Sequence, residues 1–198
     1  MRKGQRTRQE IVEKAAELFN RKGYEGTALS DLMEATGLQK GGLYRHFASK
    51  EELAGAAFDH AWQTAVKVRQ AGVEESPNSL DRLKQMVRNF VDKREGLIPG
   101  GCPLLNTAID SDDGNAILRA RARKAMKQWL DRLRTFAEQG IARSEIKPDV
   151  EPEKLATLLV GTLEGALMVG RLNRSDEPLQ TARRHLEAYL EQLRRTGS

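Results

Sequence analysis

The fold is decided by the stretch Thr27–Lys50, TALSDLMEATGLQKGGLYRHFASK. In its first half Leu29, Leu32 and Met33 are spaced three and four residues apart, which puts them on one face of a helix. Gly37 follows at the position where a left-handed backbone ends a helix most easily. The first half of the stretch is therefore predicted to be a short helix that ends in a tight turn.

A second short helix is predicted over residues 40–47. Leu43 and Phe47 are four residues apart and share its inner face. Its outer face carries Lys40, Tyr44, Arg45 and His46. Two short helices joined by a tight turn form a helix-turn-helix, whose second helix enters the major groove of DNA.

The distribution of charge supports a polyanionic partner for the first quarter of the chain. The net charge of the chain is +5, and residues 1–50 hold ten Lys/Arg and six Asp/Glu, or +4 of that total. The excess positive charge therefore surrounds the helix-turn-helix, as expected of a nucleic-acid-binding segment. A solvated helix face explains a second run of basic residues, at 119–127, better than DNA binding does.

Nine residues are expected to contact DNA: Thr27, Ser30, Lys40, Gly41, Gly42, Tyr44, Arg45, His46 and Lys50. Arg45 is the candidate base reader, because its fork of donors fits O6 and N7 of guanine. Lys40 and Lys50 are expected to neutralise phosphates, and Gly41 and Gly42 let the backbone approach the duplex. The side chains of Tyr44 and His46 are expected to donate to phosphate oxygens. Thr27 and Ser30 are expected to cap the helix that precedes residues 40–47 and to touch phosphate.

Two runs, GYEGT at residues 23–27 and GLQKGGLYRHFASKEEL at 37–53, resemble the tetracycline repressor (TetR) family of bacterial transcription regulators. The matching motif covers about residues 6–58. Gln39 departs from it, because relatives often have Ser or Thr there and Gln caps a helix poorly. The resemblance implies a ligand-responsive repressor that binds a palindromic operator as a homodimer, and it supports the DNA-contacting roles given above.

The chain is predicted to be all-α, since no segment of strand length alternates with period two. We expect about nine helices: a three-helix DNA-binding head at 1–50, a linking helix at about 50–70, and a body at 71–198 that binds an effector and dimerises. Thr7 and Glu10 are predicted to cap the first helix together.

The helix beginning near residue 151 is apolar nearly all round, so it must be buried on several sides. We expect it to form a four-helix bundle with its symmetry mate and with both copies of the last helix. The predicted dimer interface comprises Leu158, Gly161, Gly165, Leu186, Tyr189 and Leu190.

An effector pocket in the body is implied mainly by the family resemblance. Its candidate lining residues are Phe90, Cys102, Leu105, Met126, Trp129, Phe136 and Met168. Cys102 is the one cysteine, and its surroundings, GCPLL, are similar to those of family members that sense electrophiles through this residue. The alternative for Cys102 is a small buried side chain that packs the body.

Enzymatic function is not indicated, because the chain has no catalytic motif, no metal-ligand spacing and no nucleotide-binding loop. No metal or cofactor is therefore expected. With no secretory signal and no unbroken apolar run of membrane-spanning length, a cytoplasmic protein is expected. Two alternatives stay open: a small-molecule-binding protein or enzyme with a vestigial head, and a nonspecific DNA-packaging protein.

Overall fold

The computed structural model describes residues 3–93 and 97–195. In this part of the chain there are nine α-helices and no β-strand, apart from one isolated bridge. The prediction of an all-α fold is confirmed. The helices are α1 (Lys3–Lys22), α2 (Leu29–Thr36), α3 (Lys40–Tyr44), α4 (Lys50–Gln70), α5 (Ser79–Asp92), α6 (Pro103–Asp110), α7 (Ala116–Ala142), α8 (Pro152–Asn173) and α9 (Glu177–Gln192).

The described residues divide into two compact units. The first comprises 3–66 and 97–126, and the second comprises 67–93 and 127–195. Helices α4 and α7 therefore contribute residues to both units. The predicted division into a DNA-binding head and an effector-binding body concerns function, and it stays a prediction.

The core of the first unit is built where α1, α2, α3 and α4 meet. Ile11 and Ala15 from α1, Leu32 from α2 and Leu43 from α3 are all at most 3% exposed. Phe47 joins the same cluster. The apolar residues that the sequence placed on the inner faces of the two short helices are thus the residues that hold these helices on the scaffold.

In the second unit α9 packs against both α5 and α8. Leu186 and Leu190 of α9 are completely buried in this unit's own core. The prediction that these two leucines form the dimer interface is wrong, because α9 turns them toward α5 and α8 rather than toward a second copy.

The predicted cap of α1 is wrong. Helix α1 begins by Lys3, and the hydroxyl of Thr7 donates to the carbonyl oxygen of Lys3 at 3.2 Å, so Thr7 lies within the helix and caps nothing. Helix α5 ends at Asp92. The start of α4 is capped by Ser49, whose hydroxyl accepts from the N–H of Glu52 at 3.1 Å.

By length and composition alone, α8 would suffice to cross a membrane. Its buried side, however, includes Leu155, Leu159 and Leu163, which are 0–3% exposed. The helix packs this side against α9 and α5. A core helix of a soluble protein has the same length and composition, so α8 gives no support to a membrane-spanning role.

Candidate nucleic-acid interface

The start of α2 is fixed by the carboxylate of Asp31, the third residue of the helix. Asp31 accepts a hydrogen bond from the N–H of Ala28 at 2.9 Å and forms an ion pair with Lys22 at 3.0 Å. The hydrogen bond from Lys22, followed by that from Ala28, lowers the pKa of the Asp31 carboxyl. The helix ends at Gly37, whose φ of 70° places it in the left-handed region. The turn thus has the predicted form.

Thr27 is completely buried, and its hydroxyl donates to the carbonyl oxygen of Gly23 at 2.6 Å. The N-cap residue of α2 is Ala28, and Ser30 is exposed in the first turn of the helix. The prediction that Thr27 and Ser30 cap α2 is therefore wrong. Thr27 closes the turn between α1 and α2, and its buried side chain is not accessible to a phosphate.

Helix α3 has five residues. Arg45 and His46 follow it in a turn and Phe47 lies outside any helix, whereas the predicted helix extended to residue 47. Leu43 and Phe47 are each 3% exposed and fix this segment on the core. Gln39 occupies the N-cap position and makes no capping hydrogen bond with its side chain, as expected for glutamine. The carbonyl oxygen of Gln39 accepts from the N–H groups of Gly42 and Leu43, at 2.8 Å and 3.2 Å, so backbone hydrogen bonds and packing hold the start of α3.

The outer surface of this segment carries most of the predicted DNA contacts. Lys40, Gly41, Tyr44 and Arg45 are exposed, and His46 is half-buried. The side chain of Arg45 makes no hydrogen bond or ion pair to any residue that the structure describes. Its guanidinium is therefore available to a ligand.

The two glycines of α3 differ in their surroundings. A β-carbon at Gly41 would meet nothing within 4 Å, whereas one at Gly42 would lie 3.4 Å from the β-carbon of Leu38. Gly41 thus leaves the surface open. At Gly42 the added β-carbon would be in van der Waals contact with Leu38, so this position faces the preceding turn.

Lys50, the first residue of α4, is already bound to the turn between α1 and α2. Its Nζ donates to the carbonyl oxygen of Tyr24 at 2.6 Å and lies 4.2 Å from the centroid of the Tyr24 ring. Burial, followed by the charges of Glu51 and Glu25, raises the pKa of the Tyr24 hydroxyl. An ammonium group has three donors, so Lys50 keeps donors for a second partner. Tyr24 is a residue of this site that the sequence analysis missed.

A short helix with a buried apolar face, a glycine turn before it and an exposed cationic surface defines a helix-turn-helix protein. The sequence comparisons agree with this class. Residues 11–57 match the family described as "Bacterial regulatory proteins, tetR family", and residues 79–186 match "Tetracyclin repressor-like, C-terminal domain".

Named relatives and solved structures extend this likeness to the whole chain. The HTH-type transcriptional repressor ComR of Escherichia coli (strain K12) is 32% identical, over 87% of this chain and 83% of its own. The HTH-type transcriptional repressor DhaR of Mycobacterium sp. (strain GP1) is 26% identical, over 87% and 86%. A TetR transcriptional regulator from Chloroflexus aurantiacus J-10-FL superposes with a TM-score of 0.93 at 46% identity, over 100% of both chains.

The chain belongs to the TetR family of bacterial transcriptional regulators, and it is a DNA-binding, ligand-responsive regulator. Regulators of this family bind operator DNA and small-molecule effectors and act as dimers. An enzyme or binding protein with a vestigial head is not favoured.

The structure does not bring the seven predicted pocket residues together in one unit. Three of them, Cys102, Leu105 and Met126, are in the first unit, and the other four are in the second. Met168 is 49% exposed on α8, and its role as a pocket residue stays a prediction. The pattern of helical spacing did not distinguish its exposed position from a buried one.

In the second unit, two of the predicted pocket residues form an aromatic cluster with a buried cation. Phe90 and Trp129 stack with their ring centroids 5.8 Å apart. The guanidinium carbon of Arg69 lies 4.4 Å from the centroid of Phe90 and 4.9 Å from that of Trp129. Arg69 is 6% exposed and was not predicted. Phe136 is also buried in this unit.

An open cleft lies in the first unit, between α1, α4, α6 and the start of α7, and has an empty volume of about 380 Å³, part of it open to solvent. Its lining includes Phe19, Asn20, Tyr24, Phe58, Asn106 and Asp110, and none of the seven predicted pocket residues. Cys102 is at the N-cap of α6 and is 2% exposed, so solvent has little access to its thiol.

Helix α8 presents an apolar stripe that the structure leaves exposed. Leu158 is 45% exposed, and Gly161 and Gly165 follow on the same side, where a β-carbon would meet nothing within 4 Å. Met168 and Leu172 continue the stripe at 49% and 78% exposure. Tyr189 of α9 is half-buried. The last two residues of the stripe, together with Val169, were not assigned to an interface by the sequence analysis.

Proposed function

We propose that this regulator binds a palindromic operator as a homodimer, represses transcription from it, and leaves the DNA when a small molecule binds. The observation that carries the proposal is the surface of α3, which is cationic and exposed on a segment that Leu43 and Phe47 hold to the core. Arg45 is the base reader, because its guanidinium has no partner among the described residues and is long enough to reach a base edge. Lys40, Tyr44 and His46 anchor the phosphate backbone, together with Lys50.

The homodimer is supported by the exposed stripe on α8. A contiguous apolar surface on a soluble protein marks an interaction site, and this stripe runs for about four turns, from Leu158 to Leu172. The open space beside Gly161 and Gly165 lets a second backbone approach closely. Two copies related by a twofold axis would bury the stripe against itself, in a bundle of both α8 and α9 helices.

Repression is assigned from the relatives, since ComR and DhaR are both named as repressors. The effector is proposed to bind without covalent attachment, because the thiol of Cys102 is buried. Phe90 and Trp129, which stack beside the buried Arg69, are proposed to contact the effector. The cytoplasm is the proposed location.

The proposal is tested by selecting duplexes from a random pool with the wild-type protein. We expect an inverted repeat to be enriched, with half-sites about one helical turn or a multiple of it apart. The selected duplex should outcompete random DNA at physiological salt. Equal competition by random DNA would instead indicate a packaging protein, and failure to enrich any sequence would refute operator binding.

A further inference from the structure

Asp110, the last residue of α6, is packed against the turn between α1 and α2. Its Oδ2 accepts a hydrogen bond from the backbone N–H of Tyr24 at 2.7 Å. Its Oδ1 lies beside Gly23, where a β-carbon would approach this oxygen to 2.7 Å. Gly23 also has a φ of 76°, which favours glycine. The turn is thus shaped to receive this carboxylate.

The rest of α6 is tied to the end of α1 by largely buried amide groups. Nδ2 of Asn106 donates to Oδ1 and to the carbonyl oxygen of Asn20, at 3.0 Å and 2.9 Å. Nδ2 of Asn20 donates in turn to the carbonyl oxygens of Pro99 and Gly101, at 3.0 Å and 3.2 Å. Asn20 is 8% exposed. These bonds fix α6 on α1, and so they hold Asp110 at a defined distance from the turn.

Tyr24 joins this contact to the DNA-binding surface. Its N–H is bound by Asp110, and its carbonyl oxygen accepts the hydrogen bond from Nζ of Lys50. Both contacts act on the backbone of one residue. The position of the Tyr24 backbone therefore helps to set the position of the Lys50 ammonium group.

We infer that Asp110 is a positioning residue for DNA binding, which holds the Tyr24 backbone and thereby places the ammonium of Lys50 against a DNA phosphate. This inference rests on the proposed operator binding. Asp110 itself contacts no DNA, and its negative charge opposes the approach of a polyanion. Loss of its charge and loss of its hydrogen bond should therefore change the affinity in opposite directions, which makes the two effects separable.

The test uses a duplex selected by the wild-type protein from a random pool, and measures its affinity across a salt series. Asp110→Asn removes the charge but keeps an acceptor oxygen, so it should bind at least as tightly as the wild type. Asp110→Ala should bind about 2- to 10-fold more weakly than Asp110→Asn, the range expected for one hydrogen bond. Its salt slope should also be smaller by about 0.9, because the Lys50 contact to a phosphate is lost.

Asp113→Ala is the matched control, since Asp113 is exposed in the neighbouring loop and its carboxylate has no partner among the described residues. It should bind like Asp110→Asn. In a Lys50→Ala background, Asp110→Ala should bind no more weakly than Asp110→Asn.

Equal affinity and slope for Asp110→Ala and Asp110→Asn would overturn the inference. Weaker DNA binding by Asp110→Ala with an unchanged salt slope would also overturn it, because that pattern indicates loss of folded protein. So would a loss of affinity from Asp110→Ala in the Lys50→Ala background that is as large as its loss in the wild-type background. If the wild type selects no duplex at all, operator binding and this inference fail together. If it does select one and the Asp110 variants behave alike, this inference alone fails.

Discussion

The outer surfaces of α3 and α8 are both left open by the fold, but they differ in chemistry and in size. Helix α3 has five residues and exposes Lys40, Tyr44 and its C-cap residue Arg45. Helix α8 has 22 residues and exposes a stripe that ends with Leu172 at 78% exposure. A short cationic surface suits a polyanion, whose attraction acts over a Debye length. A long apolar surface gains free energy only by contact, in proportion to the area removed from water.

The difference indicates that the two surfaces should respond to different perturbations. Salt and single charge substitutions should change the affinity of α3 for DNA, with little effect on the association of two copies. Substitutions that change side-chain volume on α8 should change the strength of dimerisation, with little effect on the recognition of bases. The predictions below start with the largest expected effect.

Gly161→Leu should weaken the dimer by about 1–3 kcal/mol for each copy, because the added side chain overpacks a close helix contact. Sedimentation over a concentration series measures this change. In a single copy a β-carbon at residue 161 meets nothing within 4 Å, so we expect the protomer itself to tolerate the substitution.

Gly4→Leu is the control for Gly161→Leu. Gly4 is also a helical glycine with open space around it, so a β-carbon there meets nothing within its own copy. Gly4→Leu should leave the dimer unchanged. A wild-type protein that stays monomeric at micromolar concentration would contradict the proposed role of α8.

Arg45→Ala should lower affinity for the selected operator by about 1–3 kcal/mol, and lower affinity for random DNA much less. Arg45→Lys sharpens this experiment, because lysine keeps the charge but lacks the planar fork of donors. It should retain binding to random DNA and still lose specificity. If the ratio of operator to random affinity is unchanged in both variants, Arg45 does not read bases.

Lys40→Ala should weaken binding to operator and random DNA equally, and reduce the magnitude of the salt slope by about 0.9, because one phosphate contact is lost. Lys124→Ala is the matched control, since Lys124 is an exposed lysine of α7 outside the proposed DNA surface. It should leave the slope unchanged. A specific loss at the operator alone would instead assign base reading to Lys40.

Glu191→Gln should produce the smallest effect, and one that depends on pH. Hydrogen bonds from Arg194 and then Lys84 lower the pKa of Glu191 from 4.5 to about 2, and the Lys84 pair fastens α9 to α5. A depressed pKa means that this stabilisation is complete above about 4.5 and is lost as the pH falls toward 2.

The wild type should therefore exceed Glu191→Gln in thermal stability by a constant amount near neutral pH. This difference should shrink as the pH falls from about 4.5 to about 2. Glu75→Gln, at an exposed carboxylate with no partner among the described residues, is the control and should show no such window. A difference that does not change with pH would show that Glu191 acts through packing rather than through its charge.

Much of the DNA-binding surface was predictable because its determinants are close in sequence. The spacing of Leu29, Leu32 and Met33, and the glycine that follows, define α2 within nine residues. The residues of α3 divide into inner and outer faces by the same spacing. The effector pocket was much less predictable, because its lining must come from several helices whose packing no local pattern specifies.

The sequence by itself determined the helical class, the helix-turn-helix, the outward-facing cations of α3 and the apolar excess of α8. Each follows from periodicity, charge or a turn residue within a few positions. Only the tertiary structure decided that Leu186 is core while Leu158 is exposed, that Thr27 is buried, and that Asp110 meets the backbone of Tyr24. A leucine or an aspartate has the same local pattern in either setting, and which neighbour it meets depends on how distant helices pack.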